Sequence, residues 1–384
     1  MGLVIGIDAS RNRSGGAIAH LLGILQKGAP ASYDIEQIHV WTYKELADAL
    51  PVKPWLVKHT PPALNRSLLW QLLWQFFSLS KEARKAHCDI LYSTDAATIC
   101  QFSPLVVMSQ DMLEYEQGMM KHFGLSWARL RLIALLLVQN RAFRFANGVI
   151  FLSQYAADSV QKKTGPLNQT AIIPHGVSDD FKNVRIINSW RHVGERAIRC
   201  LYVSHIEIYK NQWVVVQAID SLRKRGHNIT LTLIGAANKR ALDLLNKQLA
   251  ISDPDHKFVF QESFIPHHQL PARLAEANLF LFASSCENLP VTLIEGMSIG
   301  LPIACSNRGP MPEILKDGGT FFDPEDANSI ANAVEKLILD QDLRLSVAKK
   351  AKELSSQYSW QRCADETFAF IVETYNDLKP IRCS

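Results

Sequence analysis

Short, nearly all-apolar runs alternate along this chain with helix-length amphipathic segments, and few folds accept that alternation. A strand that is apolar on both sides must be covered on both sides, the situation of a parallel sheet flanked by helices. In the first half, Leu3–Ile7, Asp89–Tyr92, Leu105–Met108, Val149–Leu152 and Ala171–Ile173 read as such strands. In the second half, Arg199–Ser204, Ile229–Ile234, Lys257–Phe260, Leu279–Ala283 and Pro302–Cys305 do the same. Residues 179–198 between them are mostly polar and carry no long periodic element, so they are expected to be a linker. The fold class is therefore α/β, with two Rossmann-like doubly wound parallel-sheet domains, 1–178 and 199–360, expected to face a cleft. A length of 384 residues suits two cores better than one. Ligands in such sheets bind at the carboxyl ends of the strands, so the loops that follow strands matter most.

Composition removes several function classes. Net charge is +4, too small to argue for nucleic acid. The cysteines, at 88, 100, 200, 286, 305, 363 and 383, are odd in number and form no C-x-x-C pair. That argues against a disulfide framework and a zinc site, and a reducing cytoplasm fits. The N-terminus lacks the basic and long apolar regions of a signal peptide. The run Leu132–Val138 is far short of the roughly 20 apolar residues of a membrane span. No strand leads into G-x-G-x-x-G, which disfavours a dehydrogenase. Asp253-Pro254-Asp255 has the D-x-D form of a metal motif, but its place in a polar loop after a helix reads as coincidence. Neither a metal site nor a cofactor is expected.

Three strand-end loops carry candidate chemistry. After Leu3–Ile7 comes a loop ending in Gly15-Gly16 before a helix from about Ala17. Paired glycines allow close backbone approach, and a helix N-terminus favours anions. After Arg199–Ser204 come His205 and Lys210, with Asn211 a candidate N-cap for the next helix. Lys210 would add a cation beside that helix start, a spot suited to a diphosphate. After Leu279–Ala283 come Glu287, Asn288, Leu289 and Pro290, with Pro290 expected in a first helical turn and Glu295 about two turns on. Two carboxylates at that spacing can accept from hydroxyls of a sugar and a ribose.

The run from Glu287 to Glu295, continued by Gly296-Met297-Ser298-Ile299-Gly300-Leu301-Pro302-Ile303, resembles the two-glutamate signature of glycosyltransferase family 4. Pro310-Met311-Pro312-Glu313-Ile314, Asp317-Gly318-Gly319 with Phe322-Asp323-Pro324, Ile173-Pro174-His175-Gly176-Val177 and Ser359-Trp360 resemble further segments of that family, in its order. The likeness is to the polysaccharide and O-antigen-assembly type, which Tyr209-Lys210-Asn211-Gln212 also resembles. It implies the GT-B fold and a retaining, metal-independent transfer of a hexose-type sugar from a nucleotide-sugar donor, UDP- or GDP-linked, to a glycan or lipid-linked glycan. The N-terminal domain would then take the acceptor and 199–360 the donor, with a final helix over 361–384 returning to the N-terminal domain. Glu287 would contact the transferred sugar, Glu295 the ribose, and Lys210 the diphosphate. His205 stands where the family often has Arg. Gln110 stands where it often has His, so Gln110 and Asp111 are the acceptor-side candidates.

Residues 119–146 interleave Arg129, Arg131, Arg141 and Arg144 with Phe123, Trp127 and Leu130, so a weak contact with an anionic membrane surface is expected there. The protein would then be cytoplasmic and peripheral on the inner face of the membrane. Two alternatives are a catalytically silent sugar-nucleotide-binding protein, in view of His205 and Gln110, and a GT-B fold sugar-nucleotide epimerase.

Overall fold

The computed structural model describes residues 2–13, 15–124, 126–184, 186, 190 and 197–378. The chain divides into two compact units, Met1–Gly176 together with Tyr358–Ser384, and Val177–Gln357. The first holds a seven-stranded sheet of β1 (Leu3–Asp8), β2 (Ile35–Trp41), β3 (Leu56–His59), β4 (Ile90–Ser93), β5 (Leu105–Met108), β6 (Gly148–Phe151) and β7 (Thr170–Ile172). Its order is β3-β2-β1-β4-β5-β6-β7. The second holds a six-stranded sheet of β8 (Ile198–Val203), β9 (Ile229–Ile234), β10 (Val259–Glu262), β11 (Leu279–Phe282), β12 (Ile303–Ser306) and β13 (Thr320–Phe322), in the order β10-β9-β8-β11-β12-β13. All paired strands run parallel. Both sheets are α/β and doubly wound.

The central strands β4, β5, β6, β11 and β12 are buried at every residue, which is why their sequences are largely apolar. Strands β2, β3 and β13 add to those the sequence predicts. They lie toward sheet edges, where Gln37, His39 and Lys58 are tolerated and the apolar run is lost. Strand β10 starts later than predicted. The Asp253 carboxylate takes the backbone N–H groups of Lys257, Phe258 and Val259 at 2.8, 2.9 and 2.8 Å, which holds that stretch as a cap. This is also what the D-x-D sequence does in the fold.

The expected linker begins with structure. Residues Asp179–Lys182 form a helical turn whose Phe181 is fully buried in the second unit. Residues 185, 187–189 and 191–196 of that segment lie outside the described residues. The last helix, Trp360–Asp377, belongs to the first unit and packs along the helix Gly16–Lys27. A Cβ at Gly23 would lie 2.2 Å from the Trp360 ring, so only glycine permits this approach. Chain order reverses beside β1 and β4 in one sheet and beside β8 and β11 in the other, the switch points where such sheets gather ligand-binding loops.

Candidate active site

In the second unit the loops after β8 and β11 are tied together. Residues Ile208–Lys210 form a short 3₁₀ turn, and the Tyr202 hydroxyl donates to the Lys210 carbonyl at 2.7 Å. Ser285 N donates to the Tyr209 carbonyl at 2.7 Å. Asn211 does not cap the following helix with its side chain, as the sequence predicts. It sits in the left-handed region at φ 55°, which asparagine tolerates. Its amide donates instead to the Ala283 carbonyl at 2.9 Å and Ser285 Oγ at 2.7 Å, fastening one loop to the other.

That fastening brings Lys210 and Glu287 into a direct ion pair, 77 residues apart in sequence and both mostly buried. The Lys210 ammonium also lies 5.3 Å from the Tyr209 ring centre and 5.7 Å from that of Phe282. A cation so surrounded is held in one place, although a lone lysine would be solvated and mobile. His205 is exposed beside the same loop. Its carbonyl accepts from Gln212 Nε2 at 2.9 Å and Ser204 Oγ at 3.0 Å.

Asn288, Leu289 and Pro290 are buried, and Pro290 occupies the position just before the helix Val291–Ile299 rather than its first turn. Its ψ of 78° is not helical. Glu295 is buried inside that helix. One of its oxygens accepts from His267 Nε2 at 2.7 Å, while Oε2 is buried with no hydrogen-bond partner. Burial pushes the Glu295 carboxyl above the usual glutamate range, against the pull of His267. The hydrogen bond to Glu295 in turn raises the His267 imidazole above its ordinary value, against its own burial. His267 lies 28 residues from Glu295, and no sequence motif points to it.

In the first unit, Gly15 has φ 64° and precedes the helix Gly16–Lys27, which has no side-chain cap. Its first N–H groups therefore carry the partial positive charge of a helix start without a side-chain cap. Gly16 faces His175 and Gln110. A Cβ at Gly16 would lie 3.4 Å from the His175 ring and 3.8 Å from the Gln110 side-chain oxygen. Gln110 Nε2 donates to Met108 Sδ at 3.0 Å, and Asp111 is exposed. His175 is fully enclosed, stacked between His20 and Trp360 at ring separations of 5.0 and 5.7 Å. Its Nε2 has no hydrogen-bond partner, and burial pushes its pKa down to about 3. His20 shares this burial and is also shifted well down, with Nε2 at 2.8 Å from the Tyr92 hydroxyl. The sequence reading takes His175 only as part of a motif and passes over its neighbour His20. Gly15, Gly16, Gln110 and Asp111 thus stand in one unit and His205, Lys210, Glu287, Asn288, Leu289, Pro290 and Glu295 in the other.

A family model described as glycosyl transferases group 1 matches residues 188–354, a stretch that contains both carboxylates and the lysine of the second unit's site. That stretch, less than half of the chain, is similar to this family. An O-antigen chain mannosyltransferase B of Escherichia coli is 30% identical over 104 residues, which cover 27% of this chain and 27% of that protein. A GDP-mannose-dependent alpha-(1-6)-phosphatidylinositol monomannoside mannosyltransferase of Mycobacterium tuberculosis is 24% identical over 241 residues, covering 58% of this chain and 61% of its own length. The crystal structure of Anabaena Alr3699/HepE in complex with UDP-glucose superposes with a TM-score of 0.70 at 19% identity, over 98% of this chain and 100% of that one. That likeness shows the fold, GT-B. The chain described here spans about a quarter and about three fifths of the lengths of the two mannosyltransferases.

Proposed function

We propose that this protein moves a hexose-type sugar from a nucleotide-sugar donor to a glycan or lipid-linked glycan, with retention at the anomeric carbon. The observation that carries the reading is the Lys210–Glu287 pair at the meeting of two strand-end loops, inside the segment matched by the family. In the proposed reaction the bond from the anomeric carbon to the diphosphate oxygen breaks, the acceptor hydroxyl oxygen bonds to that carbon on the same face of the sugar, and the hydroxyl proton passes to the departing diphosphate. Negative charge grows on the departing diphosphate. Lys210 would meet it, helped by backbone N–H groups of Asn288 and Leu289 before the helix Val291–Ile299, and by His205. A fixed cation at the place where charge develops stabilises the transition state more than the ground state. Glu287 would accept from sugar hydroxyls and Glu295 from the ribose. Gly15 and Gly16 would offer a helix start to the donor phosphates, and Gln110 and Asp111 would stand on the acceptor side. GDP-mannose and UDP-glucose, named for the Mycobacterium and Anabaena proteins, support the two nucleotide classes as donors to test.

Glu295 supplies the direct test of donor binding. Its unpartnered Oε2 is a buried acceptor that a ribose hydroxyl would satisfy. Removing hydrogen bonds to a charged acceptor costs about 1.5–3 kcal/mol, roughly 10- to 150-fold in affinity. Glu295→Ala is therefore expected to weaken nucleotide binding by that factor in calorimetry with UDP, GDP and their sugars. Unchanged affinity for every nucleotide removes Glu295 from the site.

A weak contact of 119–146 with an anionic membrane surface belongs to the same reading. On the helix Trp127–Phe145, Trp127, Leu130, Leu137 and Arg141 are exposed on one face. Arg144 instead donates to the carbonyls of Thr164 and Lys163 at 3.0 and 3.4 Å, and Arg129 to that of Gly124 at 3.4 Å. Replacing Arg129, Arg131, Arg141 and Arg144 together by Ser is expected to reduce the salt-sensitive part of vesicle co-sedimentation, since each basic residue near such a surface contributes about 1 kcal/mol. The same salt response in parent and variant sinks this contact.

A further inference from the structure

The helix Leu68–Phe77, in the first unit, is turned inside out. Its inward face carries a glutamine. Gln75 is buried, donates to the Asp8 carboxylate at 2.6 Å and accepts from Ile99 N at 3.2 Å. Beside it Trp74 is buried and donates its indole N–H to Glu82 at 2.9 Å. The outward face is apolar. Leu69, Leu73 and Phe76, at the i, i+4, i+7 spacing of one helix face, are exposed, and Trp70 and Phe77 flank them. Relative exposures of 64% for Leu69, 49% for Trp70 and 58% for Phe77 are large for residues of this size in one short helix. Scattered exposed leucines need no explanation, but a contiguous patch of this kind marks a contact surface.

The exposed charge on the flanking segments decides what the contact is. Arg66 is exposed, with its guanidinium 5.1 Å from the Trp70 ring centre. Lys81, Arg84 and Lys85, on the next helix, Leu79–Lys85, are also exposed. Glu82, the carboxylate of that helix, points inward and takes the indole N–H groups of both Trp41 and Trp74 at 2.9 Å. The exposed ionised groups of Arg66 and of this neighbouring helix are therefore all cationic. A two-fold contact with a second copy would set these same four cations on both sides of one interface, because such interfaces use the same patch twice. An anionic lipid surface is complementary to these cations and apolar beneath its headgroups. An indole with a cation at its face suits the boundary between headgroups and acyl chains. Ten residues of helix span about 15 Å, half the roughly 30 Å of a bilayer core, so the element would lie in the surface. No helix among the described residues is long and apolar enough to cross a membrane.

We infer that the Leu68–Phe77 helix is a membrane-docking element that inserts Leu69, Trp70, Leu73, Phe76 and Phe77 into an anionic lipid surface, with Arg66, Lys81, Arg84 and Lys85 on the phosphates. This element is distinct from 119–146 and does not depend on the roles of Lys210 and Glu287.

The test uses the whole protein with vesicles of phosphatidylcholine, alone or mixed with phosphatidylglycerol. The parent is expected to co-sediment with the mixed vesicles and far less with the neutral ones. Leu69→Gln, Leu73→Gln, Phe76→Gln and Phe77→Gln combined should lower the bound fraction about tenfold or more. Donor turnover with a soluble acceptor should stay at the parent's level, which separates loss of docking from failure of the proposed reaction. Arg66→Ser, Lys81→Ser, Arg84→Ser and Lys85→Ser combined should remove the preference for the anionic lipid. Where the apolar variant does not fold, bromine-labelled acyl chains give a second readout. They should quench the parent's tryptophan fluorescence, and Trp70→Phe should lose part of that quenching. Parent protein that ignores mixed vesicles overturns the inference, as does quenching identical in parent and Trp70→Phe. A parent dimer that the apolar variant converts to monomer, without vesicle binding, overturns it in favour of a second copy. Binding retained by the apolar variant but lost on replacing the four arginines of 129–144 assigns the contact to the other segment and overturns it too.

Discussion

Alanine at position 210 is expected to lower turnover by about 10²–10³-fold, the range seen when one preorganised group stabilising a developing anion is removed. The ammonium is fixed by Glu287 and by the rings of Tyr209 and Phe282, so it needs little reorganisation when diphosphate charge appears. The loss should fall on kcat more than on the donor KM, since the interaction strengthens as the leaving group departs. Removing Lys210 also leaves the Glu287 carboxylate without its cation. Glu287→Gln in the Lys210→Ala background separates the two effects. The double variant should regain any lost thermal stability but none of the lost turnover. Steady-state kinetics and melting curves on the three proteins check this, and a Lys210→Ala enzyme as fast as the parent makes Lys210 a structural residue only.

The second large effect concerns acid. His175 is buried, and its value of about 3 lies below the ordinary 6.5. In the unfolded chain it binds a proton as pH falls through 6.5, and in the folded protein it does not until about 3. Protons therefore favour the unfolded state throughout that window, and stability present above 6.5 is lost as pH falls. At pH 5 the loss from this one group is about 2 kcal/mol. His20, shifted in the same direction and stacked on it, adds to the effect. Asparagine cannot take up the proton, so His175→Asn should shrink the difference in unfolding free energy between pH 7 and pH 5 by about 2 kcal/mol. Urea titrations of parent and variant at the two pH values measure it. Equal pH dependence means that the ring is not held neutral by burial.

Much of the fold can be read from the chain because central parallel strands demand largely apolar runs, and β4, β5, β6, β11 and β12 supply them. The outer strands β2 and β3 escape that reading, since His39 and Lys58 satisfy themselves with His59 and with the carbonyls of Ala47 and Leu50. In the site, Glu287, Glu295 and Lys210 are legible because each belongs to a strand-end loop or the helix that follows it. Their partners are not. The Lys210–Glu287 pair depends on Asn211 reaching Ala283 and Ser285, and the Glu295–His267 bond joins elements 28 residues apart. Periodicity shows that Leu68–Phe77 has two faces, but only tertiary contacts reveal that Gln75 looks inward and Leu69 outward.

The return of helix Trp360–Asp377 to the first unit makes that unit discontinuous in the chain. During synthesis its sheet is complete once β7 has emerged, yet the groove against the helix Gly16–Lys27 stays empty until Trp360 arrives. The intervening segment Val177–Gln357 forms a whole unit of its own. At about 5–20 residues per second, translation takes roughly ten to forty seconds to cross a stretch of that size. The first unit to be made is thus the last to be finished. A nonsense codon shortly after Gln357 would leave the second unit intact and strand the first with an open seam, prey for proteases and chaperones rather than a folded partner.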